Sequence, residues 1–134
     1  MGGLVLKLAP KERVLINGAV IENGDRRGRL QILTREAHIL RLRDAIHPDD
    51  ATTPVRRVCY AAQLILSGDS DPQSARLPLL RRIEELSQVF TDPDSRASLA
   101  EATQALIDDH HYRCLKALRT LLPREDRLFA ARGK

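Results

Sequence analysis

Two apolar periods divide this chain, and they change over near residue 50. Before that point, short runs alternate in the two-residue period of strands: "LVLKL" (Leu4 to Leu8), "RVLIN" after Pro10, "GAVIE" after Asn17, and "RLQIL" (Arg29 to Leu33). Turn dipeptides separate them. Asn17-Gly18 and Asn23-Gly24 are strong turn formers, because Asn and Gly enter the left-handed backbone region at little cost. "AHILRL" (Ala37 to Leu42) reads equally as a fifth strand or as the start of a short helix. Strands this short and closely spaced predict a small antiparallel sheet or half-barrel.

After the connector "HPDDATTP" (His47 to Pro54) the period becomes helical. Thr53 is a good N-cap and Pro54 a good first helical residue. Val55, Val58, Cys59, Ala62, Ile65 and Leu66 then fall on one face. A second helix runs to about Phe90 with Leu79, Leu80, Ile83 and Leu86 on its stripe. Pro78 inside that window predicts a start or a kink there. A third helix carries Leu99, Ala100, Thr103, Leu106 and Ile107, and "DDHH" (Asp108 to His111) interrupts it. A last helix carries Leu115, Leu118, Leu121 and Leu122 and stops at Pro123, leaving a frayed tail from about residue 124. The expected fold class is therefore α+β: a small N-terminal antiparallel β-sheet block over residues 1–50, then a three- to four-helix C-terminal block over 51–134.

With 134 residues, the chain is long enough for one domain that folds without disulfides or metal. Cys59 and Cys114 lie on apolar helix faces and read as buried free thiols. No run approaches a membrane span and no signal-peptide pattern opens the chain, so a cytoplasmic location is expected. The formal charge of +4 permits a polyanionic partner without demanding one. It is spread evenly: residues 1–50 carry nine basic and seven acidic side chains, and residues 51–134 thirteen and eleven. Arg far outnumbers Lys, which suits bidentate phosphate contacts and equally follows from a GC-rich coding bias.

No catalytic constellation is present. The nucleophile elbow, the phosphate-binding glycine loops and the paired-histidine zinc motif are all absent, and no enzyme activity, cofactor or metal is expected. His110-His111 with Asp108 and Asp109 reads as a solvated turn, and Glu84-Glu85 and Asp49-Asp50 as exposed carboxylates. The basic clusters are better candidates. Arg26, Arg27 and Arg29 gather at the Asn23-Gly24 turn, Lys11 and Arg13 flank another turn, and Arg41 and Arg43 share a strand face. Several such side chains along one sheet edge can track a phosphate backbone. Edge strands need solubilising charge in any case. The scarcity of aromatics argues against a platform that stacks single-stranded bases.

"INGAVIENGDRR", followed by "TPVRRVCYAAQLIL" and "YRCLKALRTLL", resembles the FlbT family of flagellin translation regulators, in the same order from Leu4 to about Leu122. The resemblance implies a non-enzymatic regulator in the cytoplasm. It would bind the 5′ untranslated leader of flagellin mRNA, hold back translation and promote decay, opposed by a companion protein, FlaF. On that reading Arg26, Arg27, Arg29, Arg13 and Lys11 are the expected RNA contacts, and Asn23 and Gly24 form the turn that presents them. The competing reading is an adaptor in flagellar assembly whose helices bind flagellin or FlaF. Three amphipathic helices also lead us to expect a homodimer.

Overall fold

The computed structural model describes residues 4–34 and 37–132. Five strands come first: β1 (Leu4–Leu8), β2 (Arg13–Ile16), β3 (Ala19–Glu22), β4 (Gly28–Ile32) and β5 (Ile39–Arg41). Two single 3₁₀ turns, Leu42–Asp44 and Pro48–Asp50, lead into five helices. These are α1 (Pro54–Leu66), α2 (Pro72–Ser87), α3 (Pro93–Ile107), α4 (His111–Arg119) and α5 (Leu122–Arg132). The α+β class and the change of period near residue 50 are as the sequence predicts. "AHILRL" does both things expected of it, ending β5 in a helical turn.

The strand block is two sheets, not one. β1 pairs with β4, while β2 sits between β3 and β5, all antiparallel. The chain therefore crosses from one sheet to the other and back. Leu6 and Leu8 from the first sheet meet Val14 and Ile39 from the second in a small core of their own. The other face of the second sheet sends Leu40 and Leu15, which are paired across β2 and β5, into the helical core. Alternation along β2 thus serves two cores at once.

The two Asn-Gly dipeptides diverge in role. Asn17 and Gly18, at φ +49° and +85°, close the two-residue β2–β3 hairpin, with Ile16 opposite Ala19. Asn23-Gly24 closes no hairpin, because β3 and β4 belong to different sheets. Gly24 does not adopt a positive φ.

In the helical block the side chains read as one face of α1 are all buried. Thr53 Oγ1 accepts from the Arg56 amide (3.2 Å), with Pro54 in the first turn. α2 starts at Pro72, capped by Asp71, and passes through Pro78. Ser74 and Pro78 both lie on its exposed side, where water replaces the missing donor. In α3 the buried stripe is Ser95, Leu99, Ala102, Ala105 and Leu106. Ala100 and Ile107, expected inside, are exposed, because the small Ala102 and Ala105 face the neighbouring helices instead. Asp109, at φ +61°, breaks α3 from α4 as the "DDHH" stretch suggests.

The chain past Pro123 is α5 rather than a frayed tail, and residues 133–134 lie outside the described residues. Pro123 falls in its first turn, so it starts a helix where it was expected to stop one. A buried carboxylate, Glu125, ties α5 to the start of α1: it accepts from the Thr53 hydroxyl and from the Val55 amide (2.8 Å).

Cys59 and Cys114 are free and buried, and burial pushes both thiols up to about 12. Neither is a thiolate at neutral pH. A disulfide-exchange reagent is therefore expected to label no thiol in the native protein and both after denaturation. Rapid labelling of the folded chain would contradict the packing of α1 against α4.

Candidate nucleic-acid interface

The segment between β3 and β4 is held as a strap between the two sheets. The Asn23 amide donates to the Glu12 carbonyl (2.8 Å), and the Lys11 amide donates to the Gly24 carbonyl (2.9 Å). The Asn23 side-chain Nδ2 donates to the carbonyls of Ala9 and Arg26, each at 2.8 Å. Five residues without a ladder of their own are thereby fixed against the 9–12 turn, where Lys11 adopts φ +62°. The strap delivers Arg26 and Arg27 to the start of β4, next to Arg29.

Register then divides the five expected contacts. Lys11 Nζ lies 2.9 Å from Asp25, and Arg13 Nε lies 2.9 Å from Glu22 on the paired strand β3. Both are exposed ion pairs, weakly held but already neutralised. Arg26, Arg27 and Arg29 are exposed and make no ion pair among the described residues. β1–β4 pairing sets Lys7 directly opposite Arg29, both on the exposed face. Like charges opposed across a ladder repel, so an anion laid between them relieves that cost. Lys7 escaped the sequence reading because its partner strand lies three elements further along the chain rather than adjacent to it. The single charge in "LVLKL" was the only signal.

Arg41 and Arg43 do not join this face. Arg41 is buried, and its Nη1 donates to Glu12 Oε2 at 2.9 Å. Arg43 Nε approaches the same oxygen at 3.5 Å, from the 3₁₀ turn after β5. Glu12 Oε1 accepts the Ala9 amide (2.9 Å). Burial works against ionisation of Glu12, but the Ala9 amide and the two guanidinium groups outweigh it and hold its pKa below the ordinary value. Strand alternation placed the two arginines on one face. Ending β5 at Arg41 instead converges them on one carboxylate.

Elsewhere, Arg56 is tied to Asp126 of α5 at 2.8 Å. His111 is half-buried and 3.8 Å from Asp109, and burial lowers its pKa. No helix among the described residues is long and apolar enough to cross a membrane.

Comparison with known proteins places these residues in context. The family described as flagellar protein FlbT matches residues 4–129. A probable flagellum biosynthesis repressor protein FlbT from a Caulobacter species is 32% identical over 92% of this chain and 93% of its own length. The flagellum biosynthesis repressor protein FlbT of Caulobacter vibrioides is 30% identical over 92% of this chain and 86% of its own. A probable FlbT from Mesorhizobium japonicum is 32% identical over 92% of this chain and 83% of its own. No solved structure matches.

Proposed function

Because the chain belongs to the FlbT family of flagellar proteins, we propose that it represses flagellum synthesis in the cytoplasm by binding the 5′ untranslated leader of flagellin mRNA. Bound there, it holds back translation and promotes decay of the message. The observation behind the RNA reading is the exposed, uncompensated set of Lys7 and Arg29, opposed across β1 and β4, with Arg26 and Arg27 immediately before β4. The strap fixes the backbone at Asn23, Gly24 and Arg26 before any ligand arrives, which lowers the ordering cost of binding. With so few aromatic side chains on the face, contacts to phosphate and RNA shape dominate.

Titration of the flagellin leader and of a scrambled RNA of equal length, at two salt concentrations, tests this reading. The leader is expected to bind more tightly, and selectively at the higher salt. Replacing Arg26 and Arg27 with Ala should weaken binding and flatten the log–log salt slope by roughly 1.4–1.8 units, for two lost phosphate contacts. Lys11→Ala should change it less, since Asp25 already engages that ammonium. Unchanged binding by the double variant excludes the strap as the RNA site.

A groove between α1 and α2, about 500 Å³ and lined by Tyr60, Ala61, Leu64, Ala75, Pro78 and Leu79, favours a second reading. In it the protein is an adaptor that holds flagellin or FlaF. Co-purification of either protein that survives nuclease treatment, together with equal binding of leader and scrambled RNA, would favour the adaptor.

A further inference from the structure

A second concentration of positive charge lines an open cleft away from β1 and β4. A cleft of about 340 Å³ opens where the end of β5 meets α4, lined by Arg41, Arg43, Asp44, Tyr112, Lys116, Arg119 and Thr120. The strand block supplies the first three and the helical block the rest. We propose that this cleft binds a phosphate dianion, carried by a small phosphomonoester or as inorganic phosphate, between Arg41, Arg43, Lys116 and Arg119.

Charge is the first argument. Four cations line the cleft. Asp44 in its wall and Glu12 behind Arg41 are the carboxylates that answer them. Two positive charges remain uncompensated, which is the charge a phosphomonoester dianion brings. Lys116 is exposed and makes no ion pair among the described residues.

The second argument is that the site is built. Arg41 is only 8% exposed, yet its Nε has no hydrogen-bond partner among the described residues. Glu12 holds that guanidinium at the cleft wall, and an anion in the cleft adds negative charge beside a buried cation otherwise answered only by Glu12. The other guanidinium groups are already oriented. Arg119 Nη1 donates to the Asp44 carbonyl (2.8 Å) and its Nη2 sits 3.7 Å from the Asp44 carboxylate. Arg43 is aimed by Glu12. Preset arginine forks of this kind suit the several oxygens of phosphate better than the single plane of a carboxylate.

Size is the third. The cleft is at the small end of the roughly 300–1,000 Å³ range of small-molecule sites. It admits a phosphate and a compact body against Tyr112 and Thr120. A ligand here touches both blocks and braces them against each other.

Calorimetry and thermal unfolding of the full chain test the proposal, with inorganic phosphate, AMP and adenosine as probes at constant ionic strength. Phosphate and AMP are expected to bind and to raise Tm by roughly 5–10 °C at about 100-fold excess over Kd, and adenosine to do neither. Their relative affinity tells whether the organic body contributes. Lys116→Ala, an exposed change that spares the fold, should weaken binding roughly fivefold to tenfold. Arg82→Ala, the same loss of charge on α2, should leave it unchanged. Absence of binding at millimolar phosphate and AMP, equal binding of adenosine, or equal losses in the two variants would overturn the proposal. None of these outcomes depends on whether the leader RNA binds.

Discussion

Replacing Glu12 with Gln is expected to destabilise the protein by about 3 kcal/mol, more than any substitution on the surface of the strand block. Gln keeps the size of the side chain and an acceptor for the Ala9 amide, but removes the negative charge that faces Arg41 and Arg43. Arg41 cannot leave: it is paired against Val14 on β2 and buried where the two sheets meet. Breaking a buried pair by removing one partner costs roughly 3–5 kcal/mol, and the adjoining cleft lets water reach part of the guanidinium, which favours the low end. At this chain length that is a fall in Tm of roughly 10 °C. Acid dependence gives a second readout. The folded pKa of Glu12 lies below its ordinary value of 4.5, so the stabilisation is complete above that pH and is lost as the pH falls through the folded value. Wild-type stability should therefore decline more steeply than that of Glu12→Gln below about pH 4.5. Parallel acid profiles and an unchanged urea midpoint would show that Arg41 does not need its counter-charge.

Glu125→Ala should cost a comparable amount, about 3 kcal/mol, at the junction of α1 and α5. Thr53 and Glu125 together cap α1. Pro54 has no amide hydrogen, the Arg56 amide donates to Thr53, and the Val55 amide donates to Glu125. Val55 is fully buried, so removing Glu125 strands a donor where water does not reach, and takes a negative charge from the positive end of α1. Asp126→Ala, one residue along, breaks only the partly exposed pair with Arg56 and should cost under about 1 kcal/mol. Denaturant midpoints of the two variants check the contrast. Hydrogen exchange at the Val55 amide should accelerate in Glu125→Ala alone. Equal midpoints would mean that α5 is held by its apolar contacts and that the cap is incidental.

These two carboxylates mark where sequence reasoning stopped. Glu12 stands in "PKER" among charged neighbours and looks like any turn residue. Glu125 stands in "REDR", which pattern alone reads as a solvated tail. Each is buried by a partner far along the chain, 29 residues away for Arg41 and 70 for Val55. The candidate RNA contacts show the same division. The exposure of Arg26, Arg27 and Arg29 followed from their turn-rich context. That Lys11 and Arg13 are spoken for, and that Lys7 faces Arg29, came from strand register.

The sequence by itself determined what local geometry controls: the change from strand to helix near residue 50, the cap at Thr53, the buried face of α1, the Asn17-Gly18 hairpin and the inert cysteines. Each depends on residues within a few positions of one another, where side-chain period and backbone preference act directly. Only the tertiary structure decided that the strands split into two sheets, that "NGDRR" is a strap between them, and which cations are neutralised. Strand pairing and ion pairing are choices among distant partners. A single sequence specifies the local preferences of each segment but leaves several long-range pairings open to it, and burial of Leu6, Leu8, Val14 and Ile39 in one small core selects among them.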